Sequence, residues 1–131
     1  MILKLVLIFV LFILFDLLFF YVNQSFLNKT IRAVQGKNAR IRYLGALLCY
    51  LALTFLLYTH LHLDTIRTFC LGASVYAVYE GTNYAIFDQW PASMVLLDTL
   101  WGGVLFVAVQ FIVKSMGYGK SIGSGKYRYR L

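Results

Sequence analysis

The sequence predicts an all-α integral membrane bundle of four transmembrane helices, with a short interfacial segment and an extended C-terminal tail. Three observations predict it. Hydrophobic residues make up 61% of the 131-residue chain and charged residues only 13%, where soluble domains run near half apolar and about a quarter charged. The mean hydropathy is +0.76 and 18% of residues are aromatic, more apolar surface than so small a domain is able to hide from water. Apolar stretches also recur at roughly the 20-residue length that crosses a bilayer core. One membrane domain is expected over residues 1–116, followed by a tail, residues 117–131.

The first span, about residues 2–22, is nearly continuous hydrocarbon. Lys4 gives it the charged start of a signal peptide, but "YVNQSF" follows in place of a small-residue cleavage site, so a retained helix is expected. Residues 23–42 are polar and basic, with Phe26, Leu27, Ile31 and Val34 near helical spacing. That pattern suits a short helix lying in the interface, ended by Gly36. The second span covers about residues 44–60, "THLHLDT" makes a tight connection, and the third span covers about residues 66–87. The chain's one proline, Pro91, sits in the turn before the fourth span, about residues 92–113.

Four spans alternate in direction. Side B is the face bearing the first connection and side A is the opposite face. Asp16 lies past the middle of the first span, Glu80 past the middle of the third, and Asp98 before the middle of the fourth. At about 1.5 Å per residue, each carboxylate falls roughly 5–7 Å from the midplane, always toward side B. Tyr76, Glu80 and Asn83 share one stripe of the third span, and Trp101 shares a face with Asp98, where its indole N–H is a donor within reach of a carboxylate. The expected intramembrane polar cluster is therefore Asp16, Tyr76, Glu80, Asn83, Asp98 and Trp101. Beside the stripe run Ala73, Ala77, Gly81 and Ala85, a small residue at every fourth position. That strip predicts close helix packing and a central place for the third span. No Lys or Arg of the spans lies in the acid layer, so the carboxyls hold protons, water, an ion or each other, or meet cations folding in from the first connection.

"YAVYEGTNYA", the Trp90-Pro91 turn and "LLDTLWGGVL" together resemble a family of small predicted four-helix membrane proteins of unknown function. The family occurs in bacteria and in large DNA viruses of algae. Its pattern is matched here by Tyr76, Ala77, Tyr79, Glu80, Thr82 and Asn83, by Trp90 and Pro91, and by Asp98, Trp101 and Gly102. Asp16 matches an aspartate of the family's first helix, and the resemblance covers roughly residues 10–113. Glu80 stands where the family has Asp, which keeps the charge on a longer arm. The resemblance implies a four-helix fold and a polar cluster, and no chemistry.

Other motifs carry less. His60, His62 and Asp64 are too few for a zinc site and lie at side A, away from the acids. Cys49 and Cys70 sit at different depths, which argues against a disulfide and for small buried packing residues. Two sequons, at Asn23 and Asn28, lie too near the membrane face to favour glycosylation. With no nucleophile–base pair and no phosphate loop, the sequence gives no case for an enzyme, a metal or a cofactor.

The tail is more specific. "KYRYRL" sets Lys126, Arg128 and Arg130 against Tyr127 and Tyr129 at strand spacing. Nucleic acid is not the expected partner. The basic first connection lies on side B and the basic tail on side A, and both do not satisfy the positive-inside rule. The tail is thus expected to dock on a protein assembly while the helices sit in the lipid bilayer. The leading expectation is a non-enzymatic structural or adaptor component. The viral branch of the resemblance extends this to a minor capsid-associated protein of a virion's internal membrane. The alternative is a small transporter or ion- or proton-handling protein using Asp16, Glu80 and Asp98. The almost wholly apolar side-A halves of the spans argue against transport.

Overall fold

A computed structural model describes residues 1–118 of the chain. These residues form five α-helices: α1 (Ile2–Val22), α2 (Gln24–Gln35), α3 (Tyr43–Thr59), α4 (Thr65–Ile86) and α5 (Ala92–Val113). A single π-type turn, Lys114–Tyr118, follows α5, with Gly117 in the left-handed region at φ 83°. The tail residues Lys126, Tyr127, Arg128, Tyr129 and Arg130 lie outside the described residues.

Each boundary has a local cause. Asn23 caps α1, its backbone N–H and its side-chain Nδ2 both donating to the Phe19 carbonyl, and the chain turns there into α2. Gly36 closes α2 with φ 73°, a conformation that favours glycine. Asp64 accepts from the Arg67 N–H at 2.8 Å and so caps α4. This occupies Asp64, while His60 stacks near His62 at 6.2 Å and bonds the Leu56 carbonyl.

The longest interface is between the antiparallel helices α4 and α5, while α1 packs against both α3 and α5. The described residues are all-helical, and α5 is their centre, carrying nine buried residues from Met94 to Val113. The expected central place of the third span is therefore corrected: α4 flanks the bundle. Its small-residue strip is corrected with it. Gly81 and Ala85 are exposed, and a Cβ built on Gly81 meets nothing within 4 Å. Ala73 and Ala77 are half-buried. The close approach is made one residue round the helix. A Cβ on Gly72 would stand 2.2 Å from the Gly102 carbonyl oxygen, and one on Gly102 would stand 2.4 Å from the Tyr76 ring. Gly103 makes the equivalent fit against Phe69. Small residues lie on two faces of α4, and the glycines of α5 select the face that packs.

The A half of the bundle holds a cluster that includes Ile8, Phe12, Leu57, Phe106 and Val109, all fully buried. The Phe12 and Phe106 rings meet at 5.1 Å. That half is not wholly apolar. Thr54, Thr68 and Gln110 are buried there, and Gln110 Nε2 and Lys114 Nζ each donate to the Leu63 carbonyl at 2.9 Å. Cys49 and Cys70 are free thiols on the exposed surface, not buried packing residues.

By length and composition, two helical stretches are able to cross a membrane: α1, continuing into α2, and α5 with the turn that follows it. Helix α3 is apolar but shorter, at 17 residues. Helix α4 has 22 residues but is less apolar, because Arg67, Glu80 and Asn83 lie within it.

Candidate functional site

Helical rise brings Asp16 of α1, Glu80 of α4 and Asp98 of α5 to the wall of one cavity of about 440 Å³ in the B half. They are 5%, 1% and 8% exposed, so none of them faces bulk surroundings. A buried carboxyl needs donors, because stripping its hydration without replacement costs several kcal/mol, on the order of 2–7 for polar groups and more for ions.

Asp16 has its donors. Trp101 Nε1 donates to its Oδ1 at 2.8 Å, and the Tyr76 hydroxyl lies 3.2 Å from Oδ2. Tyr50 of α3 is a third hydrogen-bonding neighbour. Phe19, one turn along α1, stacks on the Trp101 indole at 4.8 Å with the rings 13° from parallel. That contact fixes the indole's aim. Although Trp101 shares a face of α5 with Asp98, the carboxylate its indole reaches lies across the bundle on α1.

Glu80 takes its donor from a residue the polar-cluster reading left out. Trp90, in the turn before α5, donates Nε1–H to Oε2 at 2.6 Å. The Tyr79 ring meets the Trp90 ring edge to face at 6.5 Å. The signal was present in the Trp-Pro turn, a side-B aromatic ten residues past Glu80. The Asp98 carboxyl lines the same wall as Glu80.

Asn83, the remaining residue of the expected cluster, does not line the cavity. Its Nδ2 is buried without a hydrogen bond.

Helix α2 covers the cavity with Leu27, Thr30 and Ile31. Thr30 is 4% exposed, lines the cavity and makes no side-chain hydrogen bond among the described residues. The cover was not legible from the basic, interfacial pattern of the segment. Phe20, Leu53, Val75 and Met94 complete a largely apolar lining. The ion pair among the described residues joins Arg67 and Asp64 at the surface, far from the three acids in the fold. No three acid, histidine or cysteine groups among the described residues converge as metal ligands do.

A small helical membrane protein with an acid- and aromatic-lined cavity under an interfacial helix is the class that fold and site define. The chain belongs to the DUF2177 family, described as predicted membrane protein, which it matches over residues 1–114. Neither a curated protein nor a solved structure matches it.

Proposed function

We propose that this protein crosses the bilayer four times and binds a small ammonium-bearing ligand in the acid cavity, without converting it chemically. Large exposed side chains on every long helix support four spans: Leu18 56%, Leu48 70%, Val78 70% and Phe111 70% exposed. Contiguous apolar surface of this kind is tolerated against lipid and not against water. Helix α4, held along its length by α5, carries Thr68 and Glu80 inward.

The observation that carries the ligand is the cavity wall, with three carboxyls beside Tyr76, Tyr79 and Trp90. Carboxyls accept hydrogen bonds from an ammonium, and aromatic faces attract its charge, by about 0.5–2 kcal/mol each. The three carboxyls do not converge as metal ligands do among the described residues, which favours a ligand with several donors over a compact metal ion. The apolar cluster on side A leaves access from side B, which favours binding over passage.

Both tryptophans of the chain, Trp90 and Trp101, hydrogen-bond to cavity acids, so intrinsic fluorescence reads the site directly. The test titrates the purified full-length protein with hexylammonium, with hexanoate as control. We expect a saturable change with the amine alone, and an Asp98→Asn protein with about tenfold weaker affinity, the effect of one charge-assisted hydrogen bond. An absent response, or an equal response to hexanoate, overturns the proposal.

A second reading concerns the tail. Residues 126–131 lie beyond the family match, which ends at residue 114, and alternate cations with tyrosines. We propose that they dock on a protein assembly as an adaptor; the virion setting is a special case of that reading. Deleting residues 126–131 and measuring co-purification across a salt series tests it, and full retention of the truncated protein removes the adaptor role.

A further inference from the structure

We infer that the ammonium-bearing ligand is a phospholipid with a primary-amine headgroup, its ammonium in the acid cavity and its phosphate beside Arg40; this rests on the ammonium site proposed above. A second hollow, about 250 Å³, adjoins the cavity on side B, between the end of α2, the segment after it and Trp90. Ile31, Tyr79 and Trp90 line both hollows, so these three side chains form the partition between them. The cavity side of the partition carries carboxyls, and the outer side carries Arg40 and Gln35.

Opposite charges on the two sides of a thin partition match a zwitterion whose charges are separated by a short linker. Arg40 has no ion-pair partner among the described residues. A guanidinium is suited to a phosphate because its planar fork meets two oxygens at once. Within the cavity, the acceptors outnumber what a quaternary ammonium is able to use. A primary ammonium donates three hydrogen bonds, and Glu80, Asp98 and the unpartnered Thr30 hydroxyl offer acceptors for them.

Glu80 lies six residues before the end of α4, about 9 Å of helix. A headgroup reaching it must dip below the phosphate plane and lose hydration. The carboxyls replace that hydration, and the apolar lining of the cavity accepts the carbon atoms that follow. Arg40 lines the outer hollow, and Lys37 and Arg42 lie in the same exposed segment after α2, where cationic side chains favour lipid phosphates.

The test compares three ligands by tryptophan fluorescence on the full-length protein: dihexanoyl phosphatidylethanolamine, dihexanoyl phosphatidylglycerol and glycerophosphoethanolamine, with hexylammonium as reference. We expect phosphatidylethanolamine to bind more tightly than either relative. Arg40→Ala is expected to weaken the lipid about tenfold more than it weakens hexylammonium, and Arg40→Lys to restore part of the loss. Equal affinity for phosphatidylglycerol removes the amine's role in the lipid. Equal affinity for glycerophosphoethanolamine replaces the lipid by a soluble ligand. Equal loss for lipid and hexylammonium in Arg40→Ala overturns the phosphate site. In each case hexylammonium binding leaves the ammonium site standing, whereas its absence removes both.

Discussion

The A half of the bundle is filled by Ile8, Phe12, Leu57, Phe106 and Val109, each fully buried, whereas the B half keeps a cavity of about 440 Å³ walled by three carboxyls. The same helices α1, α4 and α5 build both halves. What differs is the kind of contact. Dispersion and shape hold the A half, and hydrogen bonds from Trp90, Trp101 and Tyr76 hold the B half. The glycines Gly72, Gly102 and Gly103 lie at the seam, where α4 and α5 approach most closely. One half supplies rigidity, so the other need not be filled.

Substitutions that break this contrast rank in size. Phe106→Ala empties the packed half and is expected to cost about 3–5 kcal/mol, measured as loss of unfolding free energy in detergent. Gly72→Ala drives a Cβ against the Gly102 backbone and is expected to cost about 1–3 kcal/mol in the same assay. Trp101→Phe keeps a ring against Phe19 but removes a donor from Asp16, with an expected cost of about 1–2 kcal/mol. Gly81→Ala points into open space and is expected to change stability by less than about 0.5 kcal/mol. If Gly81→Ala proves as damaging as Gly72→Ala, then the face of α4 that meets protein is not the one described. If Trp101→Phe proves as damaging as Phe106→Ala, the two halves do not differ in what holds them.

The contrast was partly legible in the residues alone. The acids were placed in one layer because helical rise is fixed and span limits follow from hydropathy. Those quantities need no knowledge of neighbours. The packing face of α4 was not legible for the opposite reason: Ala73, Ala77, Gly81 and Ala85 form as regular a strip as the one used, and Gly102 and Gly103 of another helix decide between them. The sequence offered the Trp101 indole a carboxylate without saying which, and the one it reaches, Asp16, is 85 residues away. The cover made by α2 depends on how the chain turns at Asn23, which a basic amphipathic pattern does not specify.

The distance along the chain between Asp16 and Trp101 also fixes an order of events in time. The carboxyl of α1 emerges from the ribosome first, and the indole that steadies it is made 85 residues later. At roughly 5–20 residues per second, the wait is on the order of 4–17 s. During it Asp16 belongs to a hydrophobic segment without the indole, and Tyr76 is 60 residues behind. The acid site is therefore incomplete until the first half of α5 has been made. A chain cut short before α5 has hydrophobic segments to insert but no finished pocket, and the carboxyl of α1 stays without its indole donor.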